Sequence, residues 1–431
     1  MERRKGKRVL IVTYYWPPAG GPGVQRWLKF VKYLPGQGVE PWVYIPENAH
    51  YPLVDEGLIK DVPTGIKVLS RPIFEPYQLA SLFSKKGTRS MSRGLISEKK
   101  QGWTERLLLW VRGNLFIPDA RKYWVKPSVK YLEDVLRSEQ IDTVITTGPP
   151  HSVHLIGLEL KKRSGIRWIA DFRDPWTSIG YHQKLRLTAR AAQKHKDLEK
   201  QVLSVADVVM ATSKTTAKEF EGIAGREVAT ITNGFDEYDL RDHKPSEKFC
   251  ISHIGSLLSG RDPKILWEAL AELTRERDDI RSYLKLKLVG AVSEDVLRSV
   301  QDAGLSPFLE HQGYVAHEQA LILQREARVL LLLEINKEET RGIIPGKLFE
   351  YMAARRPVLA IGPEGWEAGE LLEESGAGKV FTYKDKTPLK ATLIALYEDY
   401  KQEKVEPENT DLEKFTRRAL TKRLANIILE H

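Results

Sequence analysis

Hydrophobic positions along this chain follow two alternating periods. Residues 8–14 form a largely apolar run ending in a proline-glycine loop, and Val24, Trp27, Leu28, Val31 and Leu34 then mark one face of a helix over 24–34. Strands are predicted at 41–45 and 66–69. After a basic segment, strands at 141–146, 167–171, 207–211 and 228–231 alternate with helices over 151–164, 187–205 and from 213 onward. Apolar strands separated by helices of this length predict a parallel sheet covered on both faces. The pattern pauses at the polar stretch 242–248 and then restarts. Strands at 249–254, 283–289, 327–334 and 357–361 are interleaved with helices over 263–276, 294–303, 366–374 and 388–402, and a last helix over 411–430 has no strand after it. An α/β protein of two domains follows, with residues 1–242 as the first, 249–405 as the second and 406–431 as a terminal helix.

Length agrees, since 431 residues exceed what one ordinary core organises. A hydrophobic content of 42% with 29% charged residues fits a soluble globular chain, and no apolar run reaches 18 residues. The basic N-terminus leads into a seven-residue strand, too short for the core of a signal peptide. The single cysteine, Cys250, excludes an internal disulfide and sits in an apolar strand as a small core residue. A reducing cytoplasm is the expected location.

The net charge of +9 is uneven: residues 84–126 hold eleven Lys or Arg against three acids. Trp103, Leu107, Leu108, Leu109, Trp110, Val111, Leu115 and Phe116 lie in the same segment and form a broad apolar face if it is helical. Such a helix suits the surface of an anionic membrane. The alternative is that the Trp and Leu side chains pack into the first domain while the lysines are simply solvated. Nucleic acid is not an expected partner, because no binding module is recognisable and the phosphate loops read as small-ligand sites.

The most specific chemistry lies in 342–361, where a Gly-Pro loop runs into a short helix carrying Lys347 and Glu350. A helix start offers unpaired N–H groups and a positive dipole end, which suit an anion. Pro345 tolerates that position, and Gly346 lets a ligand approach. Lys347 adds a full charge and Glu350 can accept from hydroxyls. Phosphate on one side and a diol on the other describe a nucleotide ribose diphosphate, against the plain reading of a surface loop.

This stretch resembles the donor-site signature of two-Rossmann (GT-B) glycosyltransferases, closest to the retaining family 4. Three further segments match in the same order: 14–23 (Tyr-Tyr-Trp-Pro-Pro-Ala-Gly-Gly-Pro-Gly), 233–236 (Asn-Gly-Phe-Asp) and 253–256 (His-Ile-Gly-Ser). The resemblance implies two Rossmann-like domains facing a cleft, with the last helix crossing back onto the first. It also implies a nucleotide-sugar donor of UDP or GDP type and a glycan or lipid-linked glycan acceptor, with retention of configuration.

Donor contacts are expected from Gly21, Gly23, Gly255, Ser256, Arg261, Tyr314, Gly342, Ile343, Ile344, Gly346, Lys347, Leu348 and Glu350. Acceptor contacts are expected from Gly20, Arg26, Pro150, His151 and Asp171. His151 could position or deprotonate the acceptor, or simply belong to a helix cap. Arg173 and Asp174 stand where many family members carry a catalytic-site histidine. Asp174 is the candidate base, with an Asp–Arg brace of the loop as the alternative. Arg261 and Lys347 are assigned to neutralise charge on the leaving diphosphate, which would spare a divalent metal. His151 and His154 are three apart, but no third ligand has a matching spacing, so neither metal nor cofactor is expected beyond the nucleotide-sugar co-substrate.

The family's Glu-x7-Glu pattern is incomplete here: the position eight before Glu350 is Gly342. Glu338 and Glu339 lie a few residues early, and backbone N–H groups around 342–344 are the expected substitute. A nucleotide-sugar 2-epimerase and a catalytically degenerate membrane-associated binding subunit remain as rivals. No Gly-x-Gly-x-x-Gly follows either leading strand, which weighs against a nicotinamide oxidoreductase.

Overall fold

A computed structural model describes residues 6–75, 103–236, 243–404, 406–407 and 410–430. Its contacts divide the chain into two units: Met1–Thr232 with Arg417–His431, and Asn233–Thr416.

The first unit is built on a seven-stranded parallel sheet: β1 Lys7–Thr13, β2 Val39–Pro46, β3 Lys67–Arg71, β4 Thr143–Gly148, β5 Arg167–Phe172, β6 Val208–Ala211 and β7 Ala229–Thr230, in spatial order 3-2-1-4-5-6-7. Its helices are α1 Pro22–Tyr33, α2 Trp103–Leu115, α3 Val125–Ser138, α4 Ser152–Ser164, α5 Ala189–Val205 and α6 Lys214–Ala224. Val9 and Ile11 of β1 face one core with Trp27, Leu28 and Val31 of α1, while Leu10 and Val12 face the other with Trp168 and Phe172. Both faces are covered, so the strands read as unbroken apolar runs.

The second unit carries β8 Phe249–Ile254, β9 Leu284–Val289, β10 Leu309–Gln312, β11 Val329–Leu333, β12 Val358–Gly362 and β13 Gly378–Thr382, in order 10-9-8-11-12-13. Around it lie α7 Lys264–Glu276, α8 Asp278–Tyr283, α9 Glu294–Asp302, α10 His317–Glu326, α11 Gly346–Ala353, α12 Glu367–Glu374 and α13 Lys386–Lys401. In both sheets the chain works outward from a central strand and then returns to its other side. That reversal falls between β1 and β4 in one unit and between β8 and β11 in the other, and ligands of open α/β sheets bind at such points.

The last helix, α14 Arg417–Leu429, belongs to the first unit. Leu420, Leu424 and Ile428 are buried with Trp27 and Val31, each contributing about 1.5–3 kcal/mol by burial. Arg167 donates to the carbonyls of Ile427 and Ile428 (2.7 Å each), and Arg417 donates to the carbonyl of Gln25 (2.7 Å). The helix expected over 411–430 is broken at Thr416, which is extended (φ −67°, ψ 144°) after the turn Glu413–Phe415.

Elements absent from the sequence reading are the edge strands β10 and β13, the helix α10, and α3, whose Val129, Leu132 and Leu136 are buried. β10 reads Leu-Glu-His-Gln with no buried residue, and in α10 the short run Ala-Leu-Ile-Leu is flanked by polar residues and buries only Leu321 and Leu323 beside Gln324. Residues 84–102 of the basic segment lie outside the described residues. Residues 103–115 of its remainder form α2, where Leu109 is buried while Leu107, Leu108, Trp110 and Leu115 are exposed. No helix among the described residues is long and apolar enough to cross a membrane.

Candidate functional site

In the second unit the reversal point is a compact cationic cluster. β8 ends at Ile254, and Gly255 turns the chain with φ +124°. A Cβ there would lie 2.7 Å from Lys347 Nζ, so only glycine allows the amine to rest on this backbone. Lys347 is the second residue of α11, whose N-cap Pro345 gives no side-chain cap. Tyr351, one turn on, accepts from the Ile254 N–H (3.0 Å) and donates to the Ile254 carbonyl (3.2 Å), pinning α11 to β8. Burial and the nearby Arg261 lower the Lys347 pKa to about 8, while Glu350 and Glu334 pull it upward.

Arg261 donates through Nε and Nη2 to the two oxygens of Glu334 (3.1 and 3.3 Å). Glu334 is fully buried immediately after β11 and also accepts from the Ile335 N–H (2.8 Å). Arg261 keeps 31% of its side chain exposed, so it offers a fixed cation at the surface of the cluster. His253, wholly buried in β8, sits 3.3 Å from Lys347 Nζ.

Glu350 accepts from His317 Nε2 (3.0 Å) and Gln324 Nε2 (3.1 Å), which fix its carboxylate beside α10. Leu348 is buried, Gly346 opens α11, and Ser256 is exposed directly after Gly255. Tyr314 is 90% exposed after β10. The loop before α11 corrects one expectation. The Ile343 N–H donates to the Thr340 carbonyl (3.0 Å) and the Ile343 carbonyl accepts from Trp366 Nε1 (2.7 Å), so this N–H is already used inside the unit. Gly342 and Ile344 flank it, and Glu338 turns outward to pair with Arg341 (3.3 Å).

At the β1–β4 reversal of the first unit, buried bracing dominates. Asp171 is fully buried at the end of β5 and accepts from Arg26 Nη2 (2.9 Å), Trp27 Nε1 (2.7 Å) and Thr147 Oγ1 (2.8 Å). Burial raises its carboxyl, but Arg26 and these donors outweigh that and hold it below the ordinary value. Arg26 also donates to the Thr232 carbonyl (2.8 Å). Both residues were expected at an acceptor surface; the structure instead turns them toward each other inside the unit.

Gly20 is hydrogen-bonded to the Leu53 carbonyl (2.9 Å), and Gly21 begins α1 with φ +106°. A Cβ on Gly23 would lie 2.1 Å from Arg173 Nη1, so the guanidinium packs on the helix start. Arg173 donates to the carbonyls of Gly148 (3.1 Å) and Pro149. It thus braces the loop through backbone carbonyls. Asp174 is exposed at the end of the same loop.

His151, next to the buried Pro150, is itself buried and stacked on Trp176 (4.7 Å, 4°), with neither ring nitrogen hydrogen-bonded inside the protein. Burial, His154 and Arg173 push its pKa well below the usual value, which keeps it neutral. The expected general-base role does not fit a ring enclosed this way. Sequence reasoning passed over Glu334 and quoted His253 only as part of the 253–256 match, without a role; both are polar residues in otherwise apolar strand-end runs.

Comparison with solved structures places this architecture. The chain is similar to TarM (TM-score 0.63, 11% identity, all of both chains covered). It is also similar to sucrose-phosphate synthase from Thermosynechococcus elongatus (TM-score 0.58, 14% identity, 98% of both chains). A third similar structure is WaaG, a glycosyltransferase involved in lipopolysaccharide biosynthesis (TM-score 0.53, 14% identity, 98% of this chain and all of that one). These likenesses establish the two-domain GT-B fold. No curated protein sequence matches the chain. The sequence model of Glycosyltransferase Family 4 matches residues 23–238, half of the chain, and the protein therefore belongs to that family.

Proposed function

We propose that this protein transfers a sugar from a UDP- or GDP-type nucleotide-sugar to a hydroxyl of a glycan or lipid-linked glycan, with retention, in the synthesis of cell-surface polysaccharide. The observation that carries the reading is the placement of Lys347 Nζ over Gly255, beside Arg261, at the reversal point of the second sheet. Lys347 at the start of α11 and Arg261 from the loop after β8 suit a diphosphate and would offset charge on the departing nucleotide, a role otherwise filled by a divalent metal. Glu350, held by His317 and Gln324, is the proposed ribose contact. On the acceptor side the proposal rests on Gly20 and the exposed carboxylate of Asp174.

The exposed Leu107, Leu108, Trp110 and Leu115 of α2 support contact with an anionic membrane surface. Two cations of the basic segment are committed elsewhere: Arg121 pairs with the buried Glu75 (3.1 Å), and Lys122 donates to the Leu115 carbonyl (2.6 Å).

The test is titration calorimetry with UDP, GDP and their sugar conjugates. Wild-type protein is expected to bind one of the two series, and Lys347→Met is expected to weaken that binding at least tenfold, about 1.4 kcal/mol. Equal binding by the variant removes the site. Incubation with donor alone decides the rival 2-epimerase reading, since only an epimerase yields the epimer without an acceptor.

A further inference from the structure

We propose that His253 is the positioning residue for Lys347: its Nε2 accepts from the lysine ammonium and holds that charge over Gly255, facing the donor diphosphate. The inference rests on the donor site described above and adds a residue to it.

β8 reads Phe-Cys-Ile-Ser-His-Ile, and all six positions are buried. A polar ring in such a strand is costly unless its nitrogens are partnered. Nδ1 lies 2.9 Å from the carbonyl of Leu331 on the neighbouring strand β11. A carbonyl can only accept, so Nδ1 carries the proton and Nε2 keeps a lone pair. That lone pair points at Lys347 Nζ, 3.3 Å away. The Ser256 carbonyl, 3.4 Å from the same nitrogen, is an acceptor and cannot bond to it in this tautomer.

Burial and Lys347 lower the His253 pKa to about 3, so the ring stays an acceptor at every physiological pH. The other charged groups facing Lys347 are Arg261 from the loop after β8, Glu334 from the end of β11 and Glu350 from α11 itself. None of the carboxylates is within hydrogen-bonding distance of the amine in any contact described, whereas His253 is.

A long flexible amine would otherwise sample many rotamers. Here the imidazole beside it and the missing Cβ of Gly255 favour the orientation in which Nζ lies over that backbone. The residue therefore acts through Lys347 and not on the substrate.

Two conservative substitutions separate this role from simple strand packing. Asn places a donor near the Nδ1 position and preserves the Leu331 bond but leaves no acceptor toward Lys347. Gln places an oxygen near the Nε2 position and keeps that acceptor. The binding of UDP and GDP is measured between pH 6 and 9.5 for wild type, His253→Asn and His253→Gln. The Lys347 titration is followed in ligand-free protein by 13C-labelled lysine side chains, with Lys347→Met identifying the signal.

Wild-type affinity is expected to fall as pH rises through about 8, where Lys347 loses its proton. His253→Asn is expected to bind about tenfold more weakly at pH 7, with the Lys347 titration moved to lower pH, and His253→Gln to recover most of both. An unmoved Lys347 titration in His253→Asn overturns the proposal, as does equal weakening by the two variants. A wild-type protein that binds neither nucleotide, yet shows the moved titration, sinks the donor-site reading while leaving the His253–Lys347 contact standing.

Discussion

Replacing Asp171 with Asn tests whether the first unit is braced as its hydrogen bonds indicate. The side chain is isosteric, but its amide turns N–H groups toward a guanidinium that can only donate. Arg26, 2% exposed, would then be a buried cation without its anion. Breaking one partner of a buried pair costs about 3–5 kcal/mol, against which the retained bonds from Trp27 and Thr147 offset little. For a unit of this size that corresponds to a fall in Tm of about 6–20 °C, read by scanning calorimetry. The folded carboxyl lies below its ordinary value, so the ion pair is fully present above about pH 4 and is lost as pH falls through the lower folded value. The gap between wild type and variant should therefore be constant from pH 5 to 8 and narrow only in acid. The paired change Arg26→Met with Asp171→Leu is expected to be less damaging than either single change, because no charge is left alone. A single variant that loses under about 1 kcal/mol refutes the reasoning, since an open, hydrated pair would behave that way.

Gly23→Ala places a Cβ 2.1 Å from Arg173 Nη1 and should cost about 1–3 kcal/mol by thermal unfolding, recovered when Arg173→Ala is added. Equal stability of the single variant and wild type would show that Arg173 moves aside freely. Trp110→Glu, at a position 40% exposed, should change stability by no more than about 0.5 kcal/mol. It should nevertheless weaken sedimentation with phosphatidylglycerol vesicles roughly fivefold, about 1 kcal/mol; unchanged sedimentation would end the membrane proposal.

What the sequence disclosed followed from how each signal arises. Fully covered parallel strands produce unbroken apolar runs, so β1, β4, β5, β8, β11 and β12 and the two-domain restart were legible. Edge strands β10 and β13 carry Glu, His, Lys and Thr on half-exposed faces and left no such trace. Lys347 and Arg261, the diphosphate contacts proposed above, stood out in the sequence because a Gly-Pro loop at a helix start and nearby cations suit an anion. The supporting contacts did not: Glu334 follows an apolar run and His253 lies within one, where periodicity reads them only as strand. Arg26 and Asp171 are 145 positions apart, and nothing in local composition tells a paired buried charge from one awaiting a ligand.

The return of α14 to the first unit has a consequence for biosynthesis. Residues 233–416 emerge from the ribosome before the segment that covers Trp27 and Val31. At 5–20 residues per second, the patch of α1 that α14 covers stays bare for about 10–40 s after residue 232 has been made. During that interval the nascent amino-terminal sheet is a natural client for a chaperone, whereas the inserted second half closes its own core without waiting.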